Sequence, residues 1–334
     1  MGRPRRVALA ACIVLLIVVV LSSMVIGARS VGIHGVWLAL TDPVDPRISA
    51  TDAVVVRTLR LPRTVAGVIV GAALGLAGAL MQALTRNPLA DPGVLGVNAG
   101  ASFCVVLVIG VLGGGALAMA LGGLIGAAGA VAVVILLAWR GTGRASPARL
   151  VLVGAATSAV LGGATSALVV FDAGTFDQVR FWTIGSLAGR ESDLLWPSVA
   201  LVLLGLVVAV LVAASLDSLA LGDELAVGLG TSTARARLLT AGAVAVLCGT
   251  ATAVAGPIGF VGLAVPHAAR ALGGQNTRWL IAFSLVLGAV LLLGADVIGR
   301  LIAGTGELQA GLVTAAIGGP LFIAIARRRK LASL

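Results

Sequence analysis

RNPLADPGVLGVNAG, residues 86–100, separates two long apolar runs and decides how the rest of the chain is read. Pro88 and Pro92 lack an amide donor, and each pushes the residue before it out of helical geometry, so no helix passes through. Gly93, Gly96 and Gly100 then let the following segment approach its neighbours closely. In water such a stretch is an ordinary loop. Between segments that cross hydrocarbon, every amide and carbonyl must find a partner inside the protein, so broken backbone marks a covered or cavity-lining position.

Composition says that the flanks do cross hydrocarbon. The chain has 334 residues, of which 59% are hydrophobic and 11% charged, with a mean hydropathy of +1.13. A soluble domain of this size has too many surface positions to fill for that composition. Apolar runs of about 20 residues, the length that spans ~30 Å of hydrocarbon, recur at 7–28, 64–84, 94–113, 116–139, 150–170, 194–214, 238–255, 258–272, 279–302 and 308–326. The expectation is an all-α, polytopic transmembrane bundle forming one transmembrane domain over residues 1–334. The first run follows a basic MGRPRR and ends at Ile26-Gly27-Ala28, as a secretory leader does. It exceeds the usual leader core of about 7–15 residues, however, and is read as a retained helix.

Ten spans put both termini on one face. With that face inside, 15 of the 23 basic residues are cytoplasmic, from Arg3, Arg5 and Arg6 through to the RRRK tail. This is the bias expected of cytoplasmic loops and predicts a multi-pass protein with cytoplasmic termini. The formal charge of +10 is topological by this reading, since no basic stripe interleaved with aromatics offers a nucleic-acid surface. Positive charge on the outer face is concentrated in VRTLRLPR, at Arg57, Arg60 and Arg63, with Arg300 near the outer end of the ninth run. That concentration suggests a docking surface for an acidic partner.

A second interruption, AGPIGFVGLAVPH at 255–267, carries Gly256, Pro257, Pro266 and His267 and brackets a short span. Asn87, Pro88, Asp91, Pro92 and Gly93 of the first interruption and these four residues are read as structural turns. Gly/Pro-broken segments in corresponding places of two halves point to a transporter built from an inverted repeat, here about 60–170 and 236–328. His267 is read as a packing and hydrogen-bonding residue. The three cysteines, Cys12, Cys104 and Cys248, lie inside apolar runs without paired spacing, and two histidines cannot build a histidine metal cluster. No metal or cofactor is expected on this chain.

The power source is missing as well. A P-loop needs a GK[ST] lysine, and the only lysine is Lys330 in the tail. No carboxylate sits at the centre of a span, where ion-coupled carriers usually place one. No catalytic dyad or triad is evident, so the chain is read as a non-enzyme that moves something without powering it. The longest inner connection, SLDSLALGDELAVGLGTSTARAR at 215–237, holds a short amphipathic helix over 219–229 with Asp223 and Glu224 on it. An interfacial helix favours Lys and Arg on its polar face, so this acidic one reads as a plug for a soluble partner.

These residues resemble a known family. Residues 60–102, RLPRTVAGVIVGAALGLAGALMQALTRNPLADPGVLGVNAGAS, are similar to permease subunits of bacterial ABC importers for ferric siderophores, haem and cobalamin, the FecCD-like family. GPIGFVGLAVPHAAR at 256–270 and ADVIGRLIAGTGELQAGLVTAAIGGPLFI at 295–323 resemble that family's other two blocks. The resemblance implies a ten-helix subunit in the bacterial inner membrane that pairs with a second permease subunit. It implies a soluble ATPase pair, carrying ATP and Mg, on the inner face and a substrate-binding protein on the outer face. It assigns binding-protein docking to Arg60, Arg63 and Arg300, and ATPase coupling to the segment with Leu219, Gly222, Asp223, Glu224, Val227, Gly228 and Leu229. A cytoplasmic gate falls near Ser146, Pro147 and Ala148. Phe171, Phe176, Phe181 and Trp182 are read either as lining the entrance or as packing on the bundle. An ion-coupled secondary transporter and a membrane sensor or scaffold are the alternatives.

Overall fold

The computed structural model describes residues 3–43, 45–113, 115–139, 147–170, 182–189, 192–304 and 308–328. Every regular element among the described residues is helical. In chain order the helices are α1 (Arg3–Val25), α2 (Ile33–Thr41), α3 (Ala50–Val54), α4 (Leu61–Thr85), α5 (Val97–Leu112), α6 (Ala116–Trp139) and α7 (Pro147–Val170). Then follow α8 (Ser192–Ala220), α9 (Asp223–Gly228), α10 (Thr233–Ala255), α11 (Val261–Gly273), α12 (Thr277–Ala303) and α13 (Ala310–Arg328). A π-helical segment, Val55–Arg60, joins α3 to α4 without a break, and a 3-10 turn, Pro92–Leu95, precedes α5.

Among the described residues, seven helical stretches are long and apolar enough to cross a membrane, including the continuous Ala50–Thr85. The expected spans at 94–113 and 308–326 correspond to shorter apolar helices, and that at 258–272 to the 13-residue α11. The broken stretches shorten them. α5 can begin only after Gly96, which is left-handed at φ 76°, and α11 only after the left-handed Phe260 at φ 67°. α2, α3 and the π segment lie in the connection between the first two expected spans, which hydropathy alone leaves as a loop.

The bundle is organised around α4. The apolar window of the Ala50–Thr85 stretch is 89% buried, whereas that of α7 is 6% buried, so the first is the axis and the second lies at the rim. Gly67, Gly71, Gly75 and Gly78 form a stripe down α4. A Cβ on Gly71 would overlap the Gly288 carbonyl of α12, one on Gly75 the Ser284 carbonyl, and one on Gly78 the Gly262 carbonyl of α11. Backbones can touch only because side chains are absent, the packing mode that replaces hydrophobic driving force in lipid. The same device joins α5 to α6 through Gly100 and Gly126.

The two interruptions meet. A Cβ on Gly262 would sit 2.7 Å from Cδ of Pro92, so the second broken stretch rests directly on the first. From Ala90 onward the opening stretch is covered, while Arg86, Asn87 and Leu89 are exposed; within it the Asp91 carboxylate accepts from the Gly93 amide at 2.8 Å and the Asn87 side chain from the Leu89 amide at 3.0 Å. Segment 182–189 threads the neighbouring gap, with the Ser186 amide on the Ala255 carbonyl at 2.8 Å and the Gly311 amide on the Gly185 carbonyl at 3.1 Å.

Candidate functional site

Polar chemistry collects at the two ends of α4, whose 25 residues set them about 37 Å apart at 1.5 Å per residue. At the amino-terminal end the π segment feeds α4 without a break, with Arg60 as its last residue and Arg63 one turn on. Asp296 of α12 is fully buried between Arg63 and Arg300. Arg63 Nη2 donates to one Asp296 oxygen at 2.9 Å and its Nε lies 3.1 Å from both, while Arg300 Nη2 pairs with the other oxygen at 2.9 Å.

Arg60 and Arg300 also close the end of α1. A helix leaves its last carbonyls without intrahelical donors. Here the Ser22 carbonyl accepts from the Ile26 amide, the Ser23 carbonyl from Arg300 Nη1 at 2.9 Å, and the Met24 and Val25 carbonyls from Arg60 Nη1 at 2.7 and 2.8 Å. Arg300 Nη1 reaches the Ile26 carbonyl at 2.8 Å as well, and Arg60 Nη2 the Arg29 carbonyl. Two guanidiniums thus satisfy the helix end and sit at the negative pole of its dipole. The Ser23 hydroxyl accepts from Arg300 Nη2 and lies 2.7 Å from the Thr64 hydroxyl, tying α1, α4 and α12 together.

A cavity of about 290 Å³ opens beside this cluster, lined by Arg29, Arg60, Arg63 and Arg300 with glycines and alanines between them. Among the described residues Arg60, Arg63 and Arg300 gather around the single carboxylate of Asp296, while Arg29 pairs separately with Asp52.

At the other end of α4 the expected amphipathic helix over 219–229 is divided. α8 runs on to Ala220, so Leu219 belongs to it and is buried; Gly222, at φ 114°, turns the chain, and α9 is only Asp223–Gly228. α9 does not present both acids outward. Asp223 accepts from Arg237 Nη2 at 2.6 Å on one oxygen and from Arg86 on the other. Burial raises the Asp223 pKa, but hydrogen bonds from Arg237 and Arg86 and the charge of both outweigh it and hold the carboxyl below its ordinary value. What faces outward is apolar: Leu221, Leu225, Val227 and Leu229, with Glu224 among them. Nearby, the Thr277 amide and hydroxyl donate to Asp217 at 3.0 and 2.5 Å, and Arg270 donates to Gln82.

Other residues singled out by sequence fall as follows. Gly256 and Pro257 shape the second interruption, with Gly256 at φ 76° against the Trp182 carbonyl, whereas Pro266 and His267, expected at a turn, lie inside the continuous helix α11. His267 is half-buried on α11. Pro147 starts α7 and Ala148 is exposed, while Ser146 lies outside the described residues, as do Phe171, Phe176 and Phe181. Trp182 is 7% exposed and packs in the core, so it belongs to the bundle and not to an open entrance. No metal-ligand cluster occurs among the described residues. Sequence reading missed Ser23, Arg86, Arg237 and Asp296 as members of these clusters. Only Asp296 carried a local signal, lying four residues before Arg300 on one helix face.

Residues 15–328 match the FecCD transport family. The ferric enterobactin transport system permease protein FepD of Escherichia coli (strain K12) is 44% identical over 332 residues, covering 97% of this chain and 96% of FepD. The probable siderophore transport system permease protein YfiZ of Bacillus subtilis (strain 168) is 38% identical over 325 residues, covering 96% of each. A solved structure described as an inward-facing metal-chelate type ABC transporter superposes with a TM-score of 0.83 at 27% identity, covering 96% of this chain and 99% of that one.

Proposed function

Since the chain belongs to the FecCD transport family, a family of ABC importer permeases, we propose that it carries a ferric siderophore complex across the bacterial inner membrane. The observation that carries the cargo is the near-full-length similarity to FepD, a ferric enterobactin permease, with YfiZ in the same siderophore class. Family membership and the solved ABC transporter favour this reading over an ion-coupled carrier. No residue here supplies ATP chemistry; ATP and Mg belong to a separate ATPase.

An external binding protein delivers the chelate at the end bearing Arg60, Arg63 and Arg300. Support comes from the four arginines that line the cavity there, Arg29, Arg60, Arg63 and Arg300, a lining suited to carboxylates of a partner. The ATPase engages α9 at the opposite end, where an exposed apolar face suits a groove on a soluble protein. A second permease subunit packs against the rim helices. α7 is nearly bare and carries Thr157 and Thr165, whose hydroxyls bond back to their own helix at 2.8 and 2.7 Å. The ten-span topology, the inverted repeat, cytoplasmic termini and the gate at 146–148 complete the proposal.

The test is purification of the chain with its native partners from cells grown with and without iron, followed by uptake into vesicles. Co-purification of a P-loop ATPase and ATP-dependent uptake of ferric enterobactin are expected. Uptake of haem or cobalamin in its place would move the substrate within the family, and uptake without ATPase would return the ion-coupled carrier.

A further inference from the structure

We propose that Asp223 is the joint through which movement of α9 passes into α4 and α10, and that it makes no contact with the ATPase. The inference rests on the reading of α9 as the ATPase-engaging helix. A six-residue helix between Gly222 at φ 114° and Gly230 at φ 81° cannot orient itself, because so short a helix is not stable alone and both flanks are glycine turns. Two things fix it: Ala226 is buried, and Asp223 is held by two arginines.

Those arginines come from different places. Arg86 is the carboxy-terminal cap of α4, held left-handed at φ 52° and ψ 28°, and it is the first residue of the broken stretch. Arg237 lies in the second turn of α10, is buried, and belongs to the helix that opens the second half. One carboxylate therefore joins the inner ends of α4 and α10 to α9 by charge-assisted hydrogen bonds, the strong class. The side chains are graded in exposure, Arg237 10%, Arg86 35% and Asp223 40%, so the joint sits at the seam between bundle and solvent. The outward side of α9 and its flanking turns meanwhile holds Leu225 and Val227 on the helix and Leu221 and Leu229 beside it. Contact with a partner and transmission to the bundle thus use different residues of one short helix. α4 then runs unbroken to Arg63 and the outer cluster, a continuous element between the two ends.

The experiment uses the importer purified with its ATPase and binding protein and reconstituted in vesicles. The reading is the stimulation of ATP hydrolysis by the binding protein on the opposite face. Asp223→Asn keeps shape and removes the charge: stimulation should fall about fivefold, the effect of a modest loss of coupling free energy. The ATPase should still co-purify, with any loss well short of that in Leu225→Glu. Asp223→Glu should recover most of the stimulation. Arg86→Gln combined with Asp223→Asn should be no worse than Asp223→Asn alone, because both break one joint. Leu225→Glu, on the outward face, should instead lose the ATPase on purification.

Unchanged stimulation in Asp223→Asn overturns the joint. So does loss of the ATPase in Asp223→Asn to the extent seen with Leu225→Glu, which would make Asp223 a contact residue. Should Leu225→Glu retain the ATPase as well, the engagement reading of α9 itself fails, which is a distinct result.

Discussion

Arg300 and Asp296, one turn apart on α12, form a 2.9 Å ion pair whose carboxylate also takes Arg63 of α4, so a local helix pair becomes a bridge between two helices. Arg300 then continues to α1 through the Ser23 and Ile26 carbonyls. Three helices distant in sequence converge on one buried carboxylate. The arrangement gives the arginines fixed directions, so the proposed binding protein would meet oriented cations instead of freely rotating side chains. Such preorganisation lowers the ordering cost of docking.

Asp296→Asn should be strongly destabilising although it changes almost no volume. It removes the charge that Arg63 and Arg300 share, and breaking a buried pair by removing one partner typically costs about 3–5 kcal/mol. Thermal unfolding in nanodiscs should show a midpoint lowered by several degrees, with binding-protein affinity reduced as well. A wild-type midpoint would mean that water or lipid headgroups already carry these charges.

Two glycines on the same helix should behave oppositely. A Cβ at Gly288 would overlap the Gly71 carbonyl, and backbone cannot rotate out of the way, so Gly288→Ala should cost about 1–3 kcal/mol by overpacking. At Gly294 nothing lies within 4 Å of the added carbon, and alanine there should be neutral or gain up to about 1 kcal/mol of helix propensity. Comparing unfolding midpoints of the two variants checks the α4–α12 contact directly; equal midpoints would contradict it.

How much of this was legible in sequence depended on range. Segments such as 64–84 and 279–302 announced themselves by hydropathy, and the resemblance in residues 60–102 supplied the family. Arg60, Arg63 and Arg300 stood out because charge on an outer face breaks a statistical rule. Their inward bonds did not stand out, because α1 carbonyls carry no sequence signature and are reached across 35 or more residues. The Asp223 joint was invisible for the same reason: Arg86 lies 137 residues away. The extent of α9 was misjudged because periodicity runs through Leu219 to Leu229 while Gly222 breaks the backbone. The π segment left no trace, since a register change of one residue alters no composition.

The Asp223 joint should persist over the physiological pH range. Its carboxyl is held below its ordinary value, so the stabilisation is fully present above the unfolded value of about 3.9 and is lost only as pH falls through the lower folded one. The difference in thermal stability between wild type and Asp223→Asn should therefore stay constant from about pH 8 to pH 5 and shrink below about pH 4. A difference that already declines between pH 7 and pH 5 would show that the arginines do not hold the charge.

Asp91, in the first broken stretch, should show the reverse dependence. Burial raises its pKa and the hydrogen bond from the Gly93 amide only partly opposes this, so the ionised form is disfavoured in the folded chain. The cost is present at neutral pH and disappears as pH falls through the raised value. Asn keeps the acceptor for the Gly93 amide without a charge, so Asp91→Asn should match or exceed wild-type stability at pH 7, with the advantage narrowing as pH falls through the raised value. Asp91→Ala removes the acceptor and should lose about 0.5–2 kcal/mol, the usual cost of a missing cap. If the Asn variant is as damaged as the Ala variant at pH 7, the charge itself is needed, and a cation must stand close to a turn that now reads as braced by hydrogen bonding alone.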